Sequence, residues 1–362
     1  MLTIQERIKR RRSFIFENAN HCECDVYQNQ TDEYYWSKPP DWFEPGNFQQ
    51  AQKLFRTYKS TFILSYIYGL SLSFFYPDDL IPLISTGKSK SVAHLFQRYL
   101  KTIDYISIWF ELNPFDEQSK AYRTLSTIRQ MHSKVSQKLN KNQTSRLIWM
   151  NQYRMYHGQF PFVGLFAIFP KQLGFDILTQ KEIHCIFHFW RTIGYCLGID
   201  DQFNLCSGTD QEIIEICQQI FQQELLPTLT TLRQQPANDD DTNLSITNTA
   251  RLMSKGLFQA LGILEPFINY NIMMRYACKF VWKKIPTPAI DEDDIRLKNF
   301  PSRIHYIFTI VAYRFFSHFR WFHWLSSRWL EYRLKQAKKY CKYYTQCLER
   351  MYPNHIVVDD DY

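Results

Sequence analysis

Apolar positions in this chain recur every three or four residues over long stretches, and two-residue alternation is rare, so the pattern predicts an all-α fold. Over residues 92–110, Phe96, Tyr99, Ile103, Ile106 and Phe110 line one helix face, while Arg98, Lys101, Thr102 and Tyr105 share another. A second helix follows Pro114. It carries Leu125, Ile128, His132, Val135 and Leu139 in one stripe and ends near Asn140. Longer helices are predicted from about 47 to 75, closed by Tyr76-Pro77-Asp78-Asp79, and from about 179 to 197. Residues 149–174 are apolar on several faces and read as buried packing.

Composition adds scale to this pattern. With 362 residues, 45% hydrophobic, 17% aromatic and only 11 glycines, the chain suits one large helical domain with extra terminal helices. The predicted layout is an irregular basic lead-in over 1–40, a helical domain over 41–284, and a linker with C-terminal aromatic and basic helices over 285–362. Within the domain, 234–249 turns to Gln, Asn, Asp and Ser, with Asp239-Asp240-Asp241, and reads as a flexible insertion. Pro286, Pro288 and the acidic stretch 291–294 mark the linker. Residues 304–330 are dense in aromatic side chains but broken by Arg314, His318, Arg320, His323 and Arg328, so they do not form a clean bilayer span. Followed by Lys335, Lys338, Lys339 and Lys342, the segment 304–342 reads equally as an amphipathic helix lying on a membrane or as one packed on the core with a basic outer face.

Charge and short motifs mostly exclude. A net +8 is modest for this length, and no nucleic-acid module accompanies it, so no nucleic-acid partner is expected. Lys9-Arg10-Arg11-Arg12 has no apolar region behind it and is not a secretory signal; Glu6 and Glu17 weaken a transit-peptide reading, leaving a solvated terminus. Nine cysteines without a repeating frame point to an intracellular, reducing compartment. His21-Cys22-Glu23-Cys24 lacks the second pair that zinc needs and reads as a loop. The sequons at Asn29, Asn142 and Asn243 carry little weight without a signal peptide. His184 and His188 stand one turn apart, yet no Glu-x-x-His pair supports a di-iron site, and packing or solvent is the reading for them.

The candidate chemistry centres on His132. An imidazole in an apolar stripe is expected to be dry and needs a hydrogen bond, a charge or a metal. A satisfied core residue is the commoner outcome. Arg98, Lys101 and Thr102 present a guanidinium, an ammonium and a hydroxyl within one turn, which suits an anionic cofactor with a flat apolar body, such as haem.

Arg98-Tyr99-Leu100-Lys101-Thr102 followed by Arg129-Gln130-Met131-His132 resembles the rubber oxygenases (latex-clearing proteins) and the mycophenolate-pathway oxygenases that share their catalytic domain. The resemblance continues through Leu83-Ile84-Ser85-Thr86-Gly87, Asn151-Gln152-Tyr153, Gly164, Leu173-Gly174 and the run from Phe189-Trp190-Arg191 to Gly194 and Gly198, over roughly residues 40–280. It implies a helical domain enclosing a haem b pocket, with His132 as proximal iron ligand and Lys101 as a possible distal ligand if burial strips its proton. Arg98 and Thr102 would fix a propionate or donate to bound oxygen, and Arg129 would join them in cofactor binding. The implied activity is oxidative cleavage of C=C bonds in apolar, isoprenoid-like substrates with dioxygen, and the implied place is the endoplasmic reticulum face. This chain departs from the family in three places. The family's upstream glutamate falls near Pro82, with Asp78 and Asp79 the nearest acids, while Arg154 and Gly158 stand where relatives often carry aspartate and threonine. A non-catalytic haem or lipid binder on the same fold, or a helical membrane-surface interaction protein, is therefore also open.

Overall fold

The computed structural model describes residues 3–19, 38–141, 148–231, 241–265, 268–281 and 295–353. Among these there is no strand. The helices are α1 (Ile4–Phe14), α2 (Pro45–Ser73), α3 (Pro77–Ile84), α4 (Val92–Trp109), α5 (Lys120–Asn140), α6 (Gln152–His157), α7 (Phe160–Ile168), α8 (Gln180–Cys196), α9 (Asp210–Ile220), α10 (Leu226–Thr231), α11 (Asp241–Gly262), α12 (Tyr270–Tyr276), α13 (Phe300–Arg314), α14 (Arg320–Lys339) and α15 (Cys341–Met351). They divide between two compact units, a division that the sequence pattern does not draw. The first takes Met1–Phe55, Asp104–Ile168 and Thr179–Gln219; the second takes Arg56–Ile103, Phe169–Leu178 and Ile220–Tyr362.

Caps set the starts of the helices around the site. The Ser119 hydroxyl accepts from the Tyr122 amide at 3.1 Å and opens α5, and Asn151 does the same for Arg154 at the head of α6. Thr179 and Glu182 close a reciprocal capping box on α8, bonding each other's backbone amides.

The first unit is built on stacked rings. Phe110 lies parallel between Phe55, at 3.9 Å, and Phe189, at 3.6 Å. The Trp109 indole donates to Thr124 Oγ1 at 3.0 Å, which ties the end of α4 to the start of α5. Residues 4–14 are helical, not the irregular lead-in expected from sequence, because Thr3 and Glu6 form a capping box. The basic run is not simply solvated either. Arg11 reaches the Ser207 and Asn204 carbonyls, each at 2.6 Å, and Arg7 pairs with Glu212 at 2.9 Å.

In the second unit α2 is kinked at Tyr58 (φ −107°, ψ 18°). The Ser327 hydroxyl fills the break, accepting from the Ser60 amide at 3.1 Å and donating to the Thr57 carbonyl at 2.9 Å. One turn away, His323 is buried with both ring nitrogens engaged. Nε2 meets the Ser317 carbonyl at 2.8 Å, which can only accept, so Nδ1 is the acceptor for the Thr61 hydroxyl at 2.8 Å. Gly174, at φ +86°, runs beside this cluster, and a Cβ there would stand 3.2 Å from the Ser317 side chain. The aromatic segment expected from 304 to 330 is broken by a 3₁₀ turn over Phe316–His318, which supplies that Ser317 carbonyl. Helix α11 starts at Asp241, inside the stretch expected to be a flexible insertion. Residues 21–24, Asn29, Asn142, Asp239, Asp240, Pro286, Pro288 and the acidic linker 291–294 lie outside the described residues.

Candidate functional site

On α4, in the second unit, Arg98 is turned toward the preceding loop. Its Nη1 donates to the Leu83 carbonyl at 2.9 Å, to Ser89 Oγ at 2.8 Å and to Thr86 Oγ1 at 3.3 Å. All three partners are neutral, no carboxylate among the described residues pairs with the guanidinium, and burial lowers its pKa. A sheltered cation without a counter-charge is suited to an anionic ligand. The Thr102 hydroxyl donates to the Arg98 carbonyl at 3.1 Å, so it fixes the helix face as much as it offers a site. Lys101 is exposed, whereas distal ligation relies on burial to remove its proton.

Sequence periodicity places Tyr99 among the apolar lining, and its ring is indeed buried, but its hydroxyl has no partner among the described residues. Burial pushes its pKa up to about 12. Tyr99→Phe removes an unsatisfied polar atom without changing shape. The expected result is a melting temperature equal to or above wild type, by up to about 1 kcal/mol in stability. A clear fall in thermal denaturation would show that the hydroxyl has a partner.

On α5, in the first unit, Leu125 and Ser136 are fully buried on the inward face. On the same face Ile128, Arg129, His132, Val135 and Leu139 are only half-buried, so this side of the helix is incompletely covered. The apolar stripe predicts a dry His132; the side chain is instead half-buried, because that face is incompletely covered. Arg129 Nη1 donates to the Cys196 carbonyl at 3.1 Å at the end of α8.

Two motifs quoted from the sequence meet here. Gln152 donates through Nε2 to the Gly198 carbonyl at 3.2 Å and accepts from the Asp200 amide at 3.1 Å, joining α6 to the turn after α8. Arg154, where relatives often carry an acid, lies buried with its guanidinium 3.7 Å above the Trp149 ring. In the second unit, Pro82 stands inside α3, and Asp78 and Asp79 occupy its first turn, where the helix dipole favours them.

The two histidines of α8 are engaged separately. His184 Nδ1 is 2.8 Å from Asp210 Oδ1, while His188 Nε2 accepts from the Glu44 amide at 3.1 Å, its ring stacked on Phe43. Among the described residues no cluster of three His, Cys, Asp or Glu side chains could hold a metal ion. Burial lowers the His188 pKa from 6.5 to about 4. The unfolded chain therefore takes up a proton near pH 6.5 that the folded chain refuses, so this stabilisation is present above 6.5 and is lost as pH falls toward 4. Thermal melts across that window are expected to fall less steeply for His188→Gln than for wild type; parallel curves would refute the assignment.

The family model that matches this chain is that of a class of oxygenases. The chain belongs to the family of ER-bound oxygenases mpaB/B' and rubber oxygenases, whose catalytic-domain model matches residues 61–289. Arg98, Lys101, Thr102, Arg129 and His132 all fall inside that match. The solved structure of latex clearing protein LCP in the closed state is similar in fold, with a TM-score of 0.57 at 13% identity, covering 91% of this chain and 87% of that one. A comparison with curated proteins finds no match.

Proposed function

We propose that this chain is a haem b-dependent oxygenase that uses dioxygen to cleave C=C bonds in an apolar, isoprenoid-like substrate. The observation that carries the reading is that His132 lies inside the family match on a face of α5 that is only partly covered, with Ile128, Val135 and Leu139 half-buried beside it. An imidazole set among half-buried apolar side chains fits a flat apolar ring system with a metal at its centre. The family resemblance would give Arg98 the anionic edge of that group.

Haem b, when bound, supplies oxygen activation at iron. The chain's own share is to bind and orient. His132 would be the proximal ligand through its neutral imidazole, and Arg129, fixed on the Cys196 carbonyl, would hold the neighbouring cofactor edge. Arg98 and Thr102 would donate to a propionate or to developing negative charge, the guanidinium keeping Nε and Nη2 for this while Nη1 serves the loop. Lys101, exposed as it stands, would have to shed water and a proton to serve as a distal ligand.

The test is the absorption spectrum of the protein produced with haem supplied, followed by oxygen uptake with a polyisoprenoid. A Soret band with uptake and carbonyl products is expected. Absence of a Soret band overturns the proposal. A Soret band without uptake instead supports a non-catalytic haem binder, the reading favoured by Pro82 in α3 where the family's acid is expected.

A further inference from the structure

Helices α13 and α14 of the second unit bury polar side chains beside their apolar ones and turn large aromatic side chains outward. The buried face of α14 carries His323 and Ser327 ahead of Leu330, while its outward face carries Trp321, Trp324, Leu325 and Trp329, with Trp321 56% and Leu325 54% exposed. Helix α13 buries Thr309 together with Tyr306, while Phe308 is 60% exposed. Of the eighteen large apolar side chains exposed among the described residues, fourteen lie between 300 and 351. A water-facing helix places its aromatic side chains the other way round, so this surface is shaped for a non-aqueous neighbour.

Charge identifies that neighbour. Residues 300–353 hold ten Lys and Arg against two Glu, a formal +8, which is the net charge of the entire chain. Cations stand at the rim of the indoles, with Arg328 5.9 Å from the Trp324 ring centre and Arg333 5.8 Å from that of Trp329. Farther along, Lys335, Lys338 and Lys339 are exposed. A second copy of the chain would set these like charges against one another across a self-complementary face, whereas anionic lipid headgroups would neutralise them. No helix among the described residues is long and apolar enough to cross a membrane.

We infer that α13 and α14 form an interfacial docking surface for an anionic lipid bilayer, with the aromatic side chains of Phe308, Trp321, Trp324 and Trp329 entering at headgroup depth and the lysines meeting the phosphates. The surface uses none of the haem-site residues and stands whether or not the haem reading does. The experiment is co-sedimentation of the full-length protein with phosphatidylcholine vesicles, with and without phosphatidylserine, at low and raised salt. Binding to the phosphatidylserine vesicles is expected, weakening with salt and by about fivefold for each Lys335→Gln or Lys338→Gln substitution. Trp324→Ser with Leu325→Ser is expected to reduce binding about tenfold or more. Quenching of tryptophan emission by brominated lipid in the unaltered protein decides the matter if that double variant fails to fold. No sedimentation and no quenching with either vesicle overturns the inference. So does a concentration-dependent dimer that the double variant abolishes without any vesicle binding, which would give the face to a second copy.

Discussion

His132→Ala is expected to yield folded protein with no Soret band and no oxygen uptake on polyisoprenoid. The imidazole is only half-buried, so truncation leaves little cavity and should change stability by about 1 kcal/mol or less. The loss would therefore lie in cofactor binding and not in folding. Added imidazole, which can enter the space that the side chain leaves, should restore part of the band in His132→Ala and do nothing for a variant whose core has collapsed. An unchanged Soret band in His132→Ala would remove this residue from the site while leaving the family membership in place. Arg98→Leu gives the complementary outcome: without a donor to the anionic edge, haem should bind more weakly, and the loop over Leu83 to Ser89 should lose its three bonds.

Gly194→Ala is expected to cost roughly 3 kcal/mol, enough to lower the melting temperature by several degrees. A Cβ at 194 would stand 2.7 Å from Asn204 Nδ2 and closer still to Gln159 Nε2. Neither amide can withdraw cheaply. Gln159 Nε2 donates to the Trp190 carbonyl and to Asn204 Oδ1, each at 3.2 Å, while its Oε1 accepts from the Leu205 amide at 2.9 Å. Asn204 Nδ2 donates to the Arg191 carbonyl at 2.9 Å. One methyl group would thus displace a buried network in which two bonds hold loops to α8 and two join those loops to each other. A melting curve within about a degree of wild type would mean that the network relaxes freely.

What could be read in the sequence was what depends on near neighbours. The 3.6-residue pattern marked α4, α5 and α8, and Pro114, Asn140 and Thr179 lie close to their observed ends. Gly194 stands in the sequence only as part of a motif, and a run of residue types carries no hint that two amides crowd it. Distant partners were invisible. Arg11 looked like solvated charge because its acceptors lie nearly two hundred residues away. His132 looked dry because periodicity gives a direction and not the packing density there. The aromatic density of 304–330 was plain, yet its outward direction follows only from the polar residues, His323, Ser327 and Thr309, that the fold chose to bury. Tyr99 shows the same limit in reverse, since a tyrosine at an apolar position reads as ring and conceals its hydroxyl.

The grip of Arg11 on Asn204 and Ser207 spans sequence separations of 193 and 196 residues. During synthesis α1 emerges first, yet the carbonyls it captures are made about half a chain later, so this helix must wait on the ribosome without its tertiary partners. Docking of the amino-terminal helix is thus a late event in the assembly of the first unit. A fusion tag or truncation that hampers it would show as slow maturation before it showed as lost stability.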